Sequence, residues 1–192
     1  MNLTSSCISD GVLCLSTAVS AFMLWRGGKR SAALCLVFVA AAAFLGSLYF
    51  AGISGAATWH DRLSFFAATA AVPAFCWVYW RSLAARRVPH LFVTIVLMVV
   101  LYLIAHFFKW APYPTVIGAI GLVLALWGSV ASRRPATIAL GTLAVMLYAV
   151  AGLVIGVVGV WHGWARVDLY HYAIALANPL FALALRQAPR GA

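Results

Sequence analysis

Charge is scarce in this chain, and negative charge is scarcest. Only 8% of its 192 residues are charged, and the three acids, Asp10, Asp61 and Asp168, stand against thirteen Lys and Arg. A soluble domain carries roughly a quarter of its residues charged, so this composition, 66% apolar, excludes a water-soluble fold. The four cysteines, Cys7, Cys14, Cys35 and Cys76, follow no CxxC or Cys/His spacing. That argues against a cysteine metal centre or a disulfide framework. No Lys or Arg precedes the first apolar run, whereas Arg26, Lys29 and Arg30 follow it. A cleavable signal peptide has the reverse order, so helix 1 is expected to stay as an anchor. Both lysines, Lys29 and Lys109, fall in loops, where neither could form a Schiff base to retinal inside the bundle.

The cations that are present recur with a rhythm. Arg26, Lys29 and Arg30 are followed by Arg62 alone, then Arg81, Arg86 and Arg87, then Lys109 alone. Arg133 and Arg134, Arg166 alone, and Arg186 with Arg190 complete the series. Alternate loops therefore hold ten cations and three. Cationic loops stay in the cytoplasm, which predicts an all-α bundle of seven transmembrane helices, N-terminus out and C-terminus in. The net charge of +10 sits in short inner loops beside anionic lipid headgroups. It marks membrane lipid, not nucleic acid, as the partner.

Hydropathy places the helices at 10–26, 31–53, 63–81, 90–108, 113–131, 136–161 and 167–186. Residues 1–192 then form a single seven-helix transmembrane domain whose short connections make sequential helices antiparallel neighbours. Gly27 and Gly28 end helix 1, while Pro89, Pro112, Pro114 and Pro135 stand at helix starts, where the backbone N–H is unused. Trp59, Trp110, Trp161 and Trp164 mark an outer aromatic belt, and Trp25, Trp77, Tyr79 and Trp80 an inner one. Pro73 predicts a kink in helix 3. Gly152 and Gly156 on helix 6 have the spacing that lets helix backbones meet in lipid. They serve either packing within the bundle or a homo-oligomer.

With this topology all three acids fall near the outer face, as do His60, His106, His162 and His171; only His90 lies on the inner side. Asp168, His171 and Asn178 fall within about 80° of one another around helix 7, Asn178 about 15 Å deeper than Asp168. Pro179 leaves the carbonyl of Ala175 without its helical donor. Such groups in a span face other helices or a water-filled space, so helix 7 is expected to line an outward-facing polar cleft. His106, Ser47, Tyr49 and Asp10 are candidates to face it, Ser64 and Thr69 weaker ones. Asp10 and Asp168 also suit helix N-termini, as a cap and as a charge for the dipole. His60 and His162, in loops beside tryptophans, read as interfacial.

Asp168, His171 and His106 would make a three-ligand set for zinc if helices 4 and 7 approach each other. Ser47 or Tyr49 would then steady an oxyanion. No HExxH pattern supports this chemistry. Haem is disfavoured: His106 and His171 would be its axial pair, and His90 has no partner for a second haem.

Asp168-Leu169-Tyr170-His171, the opening Ser9-Asp10 and Gly46-Ser47-Leu48-Tyr49 resemble an uncharacterised group of bacterial seven-helix membrane proteins. More remotely, the pattern is similar to the CREST superfamily of alkaline ceramidases and progestin/adipoQ-type receptors. That resemblance implies a zinc-dependent amide hydrolase fold, with Ser47 and His171 matching superfamily positions. Phe50 and Ala51 stand where its helix 2 histidine is expected, and Ala175 replaces its second helix 7 histidine. The missing ligands favour a non-catalytic sensor or accessory protein of a bacterial inner membrane over a metal-dependent hydrolase of lipid amides or esters.

Overall fold

The computed structural model describes residues 3–84 and 90–187; Arg86, Arg87, Pro89 and Arg190 lie outside the described residues. Seven helices make up the fold: α1 (Leu3–Arg26), α2 (Arg30–Phe50), α3 (Ala56–Leu83), α4 (Leu91–Phe108), α5 (Tyr113–Ala131), α6 (Pro135–Ile155) and α7 (Arg166–Arg186). A two-residue hairpin, β1 (Val160–Trp161) with β2 (Trp164–Ala165), joins α6 to α7. Helices α1 to α6 are long and apolar enough to cross a membrane, which fits an integral, multi-pass membrane protein. Helix α7 has 21 residues but falls outside that set, because Arg166, Asp168, His171 and Asn178 dilute its apolar character.

Three boundaries differ from the hydropathy reading. Helix α1 starts at Leu3, not residue 10, because Thr4, Ser5, Ser6 and Ser9 are helical as well. Their hydroxyls make them poor helix formers in water, and only their packing against other helices explains the extension. Helix α3 starts at Ala56 and takes in Trp59, His60, Asp61 and Arg62, residues that read as loop because they are polar or aromatic. Helix α6 stops at Ile155, where Gly156 turns the chain with φ of 67°. His162 and Gly163 at the hairpin tip both have positive φ, 49° and 84°, the signature of a tight turn matched to strand twist.

Helices α3 and α6 each contain a widened, π-helical stretch, at Ala67–Ala71 and Val150–Ile155. In α3 it directly precedes Pro73, so the expected distortion takes this form. Proline removes a backbone donor and crowds the preceding turn, and Val72 N bonds five residues back to Ala67 O.

The helices close a ring, α1–α2–α3–α5–α6–α7 and back to α1, with α4 outside it against α3. Helix α4 buries only Thr94, Met98 and Ala105 of its 18 residues. Sequential neighbours pack as expected except at α4, since α5 packs mainly on α3. Small residues explain the choice. A methyl group at Gly128 would stand 2.9 Å from Trp80 Cα, and one at Gly121 would stand 3.2 Å from Cys76 Cβ. Gly141 on α6 likewise lies where a methyl would overlap Ser129 Oγ and Tyr79 OH. Gly152 and Gly156 meet nothing within 4 Å; they serve no packing within the described bundle. Gly156 also ends the widened turn, so the pair is not a regular α-helical stripe.

The core is aromatic in its lower half. Phe181 of α7 meets Tyr79, Phe75 and Tyr148 at ring-centroid separations of 4.9, 5.5 and 5.9 Å. Tyr79, expected in an interfacial belt, is wholly buried, its hydroxyl 3.0 Å from Ser129 Oγ; the polar end is satisfied inside the bundle, so it needs no headgroup water. Trp25, Trp59, Trp110, Trp161 and Trp164 are exposed. All four cysteines are free.

These contacts predict a contrast between glycines. Gly141→Ala is expected to destabilise the detergent-solubilised protein by about 1–3 kcal/mol, the cost of overpacking. Gly152→Ala should stay within about 0.5 kcal/mol of wild type, as at an open surface position. Unfolding midpoints in mixed micelles measure both; equal effects would overturn the assigned packing.

Candidate functional site at the seam of α1 and α7

Helix α1 presents hydroxyls and a carboxylate toward α7 and α2. Ser5, Ser9, Ser16 and Ser20, with Ser6, Asp10 and Thr17, repeat at three, four and seven residues and so share one broad face of α1. On α7, Asp168, His171, Ala175 and Asn178 do the same. The two faces meet in three tiers.

In the tier at the N-terminal end of α7, Asp168, wholly buried, accepts hydrogen bonds from Ser5 Oγ at 2.6 Å and Ser9 Oγ at 2.9 Å. His171 Nδ1 lies 3.3 Å from Ser9 Oγ and 3.4 Å from Asp10 Oδ1, its side chain 12% exposed against 1% for Asp10. In the middle tier Ser16 Oγ donates to the carbonyl of Ala175. This is the carbonyl that Pro179 deprives of its helical donor, so α1 supplies what α7 lacks. In the deepest tier wholly buried Asn178 donates to Thr17 Oγ1 at 2.7 Å and accepts from Tyr148 OH of α6 at 2.7 Å. The polar stripe of α7 is thus a buried seam, covered by α1, where an open cleft was expected.

Neither aspartate caps a helix through its side chain. Asp10 sits well inside α1, because the helix begins at Leu3. Asp168 lies in the first turn of α7, with both carboxylate oxygens engaged by serines of α1. The expectation of an Asp10 cap rested on an α1 start near residue 10, which the serine-rich first turns overturn; Asp168 does stand where a carboxylate suits the dipole of its helix.

His60 of α3 lies beside this first tier. Its ring Nδ1 lies 3.2 Å from Ala42 O and 3.3 Å from Ser64 Oγ. A methyl group at Gly46 of α2 would fall 2.6 Å from Asp10 Oδ2 and 2.8 Å from His60 Cε1. Asp10 and His60 therefore converge over Gly46, and only glycine leaves room for both. Asp10 Oδ2 and Ser6 Oγ are buried and have no hydrogen-bond partner. They lie one turn apart on the same face of α1, and buried polar atoms without partners are uncommon in folded proteins.

The other expected site residues fall elsewhere. Ser47 Oγ donates to Cys7 O at 3.1 Å, with Cys7 Sγ at 3.5 Å, and so pins α2 to α1. Tyr49 stacks on His60 at a centroid separation of 6.0 Å and is 43% exposed. Thr69 Oγ1 donates to Phe65 O at 2.6 Å within α3. His106 stacks on Tyr102 at 5.8 Å, on the helix that lies outside the ring. The set Asp168, His171 and His106 is not assembled, since α4 packs on α3 and has no substantial contact with α7. Among the described residues no three His, Cys, Asp or Glu side chains are disposed to hold a metal ion. The donor set therefore does not fit a zinc centre as it stands.

The hydroxyl face of α1 is the part of the site that sequence reasoning missed. Its signal was present: six Ser or Thr residues between positions 5 and 20 at helical spacing, in a segment apolar enough to span a bilayer. The comparisons with known proteins add nothing to this geometry: no protein-family profile, curated protein or solved structure matches the chain.

Proposed function

We propose that the chain is a non-catalytic multi-pass membrane protein, a sensor or accessory subunit, with the α1–α7 seam as its responsive element. In this reading all seven helices span a bacterial inner membrane, N-terminus out and C-terminus in, as the alternation of cationic loops suggests. Helix α7 can span despite its polar stripe because α1 covers that stripe.

One observation carries the reading: Asp10 Oδ2 is buried without a donor, beside His171, His60 and a second aspartate. No Lys or Arg is among the described contacts of this cluster. Two carboxylates in a low-dielectric interior must be neutralised, by a compensating cation or by taking up a proton. The site therefore suits uptake of a cation from the outer side, and filling it would tighten α1 against α7.

A second reading, a CREST-like hydrolase of lipid amides or esters, is favoured by the convergence of Asp10 and His60 over Gly46, which gathers two imidazoles, two carboxylates and Ser47 toward one end of the bundle.

Purified protein in detergent decides between them through elemental analysis, an absorption spectrum, a screen of lipid amides and esters, and unfolding midpoints with added sodium, calcium or zinc. The sensor reading expects no turnover and a midpoint that rises with one of these cations in wild type but not in Asp10→Asn. Near-stoichiometric zinc and turnover, both lost in His171→Ala, would install the hydrolase instead. A midpoint insensitive to every cation in both proteins would reduce the cluster to packing.

A further inference from the structure

A second feature lies away from the seam, where α3, α4 and α5 meet. A cavity of about 320 Å³ is lined there by Phe65 of α3, Ala105 and His106 of α4, Lys109 and Trp110 of the connecting loop, and Tyr113 of α5, among others. Its walls are mostly apolar. Tyr113 OH already donates to Leu101 O at 3.0 Å, so Lys109 and His106 are the polar side chains left to meet a ligand. Lys109 has no ion pair or side-chain hydrogen bond among the described residues. Asp61, one turn before Phe65, is exposed and makes no ion pair with it. Trp110 of the lining is 55% exposed, and Phe107 and Phe108, which follow His106 in the chain, are 72% and 78% exposed.

The combination is a cation at the edge of an apolar cavity, framed by aromatic side chains of the kind that gather at headgroup depth. A soluble anion would match the lysine and leave the apolar walls against water. A neutral apolar ligand would leave the lysine unmatched. An amphiphile with a negative head matches both, and in a membrane the abundant molecule of that kind is phospholipid. We propose that this cavity seats part of one anionic phospholipid of the surrounding bilayer, its phosphate at Lys109 and His106 and the upper segment of one acyl chain along Phe65 and Ala105, with the rest of the lipid in the bilayer. The inference rests on membrane integration of the chain, not on the role given to the α1–α7 seam.

The test is native mass spectrometry of the full chain released from detergent after incubation with dioleoylphosphatidylglycerol. Wild type is expected to retain one lipid, and Lys109→Gln to retain it about fivefold less, the ratio for one lysine at an anionic surface. Lys109→Arg should restore retention. Arg62→Gln removes a cation that stacks on Trp59 at 5.5 Å and lies outside the cavity lining; it should leave retention unchanged. Equal loss in Arg62→Gln would mean general charge attraction and overturn the site, as would equal retention by Lys109→Gln. Displacement of the lipid by millimolar inorganic phosphate would make free phosphate the ligand and also overturn it. Resistance of the protein to carbonate extraction from membranes reports separately on membrane integration.

Discussion

Asp168→Ala is expected to be the most destabilising single substitution in the seam, at about 2–4 kcal/mol, since each buried hydroxyl that loses its acceptor costs about 1–3 kcal/mol. The carboxylate is wholly buried and accepts from Ser5 and Ser9. Its removal leaves the hydroxyls of Ser5 and Ser9, one turn apart on α1, without their shared acceptor and opens a cavity at the start of α7. Ser9 has a fallback, since its hydroxyl also reaches Ser6 O at 3.1 Å; Ser5 has none among its described hydrogen bonds. The loss should therefore fall mainly on the Ser5 contact, so Ser5→Ala should cost more than Ser9→Ala. Asp168→Asn keeps one acceptor and should lie between wild type and alanine. Unfolding midpoints in mixed micelles, combined as a double-mutant cycle with Ser5→Ala, measure the coupling. Additive effects of the two substitutions would show that the serine and the aspartate do not interact.

The second large effect is expected at Asn178. Asn178→Leu keeps the four-atom branched shape of the side chain but removes a donor to Thr17 and an acceptor from Tyr148. Interhelical hydrogen bonds in membrane proteins are worth about 0.6 kcal/mol on average and up to about 1.7, so two of them set a range of roughly 1–3 kcal/mol. The same magnitudes rank this change below Asp168→Ala, whose hydrogen bonds involve a carboxylate. Asn178 ties three helices together, so its loss should also raise hydrogen exchange at the α6–α7 contact around Tyr148. Tyr148→Phe alone should cost less than Asn178→Leu, because Thr17 keeps its partner. If Asn178→Leu proved as stable as wild type, the deepest tier would be apolar packing with incidental polarity.

Both effects arise where helix patterning and tertiary structure contribute unequally. Apolar segment lengths, loop cations and prolines foretold the seven helices, and the proline at the start of α6 stands where expected. The 80° stripe of Asp168, His171 and Asn178 was also legible, because helical periodicity alone determines which residues share a face of one helix. The deprived carbonyl of Ala175 followed from Pro179 in the same way. Burial direction was a weaker signal: in helices apolar on nearly every side, periodicity of hydrophobicity no longer points to a partner.

What the sequence by itself determined, then, is the membrane class, the number of helices and the polar face of α7. Only the tertiary structure decided what that face meets. Ser5 and Asp168 are 163 positions apart, and nothing local to either residue specifies the pairing. The choice of His60 over His106 was decided in the same way. His106 was expected on the same side as the acids but rides on α4, which small residues of α5 exclude from the ring by bringing α5 directly onto α3. His60 reads as a loop residue, yet it converges with Asp10 over Gly46, whose missing methyl group leaves room for both. Close approach of backbones is a property of two surfaces at once, and a single chain read from end to end presents only one of them at a time.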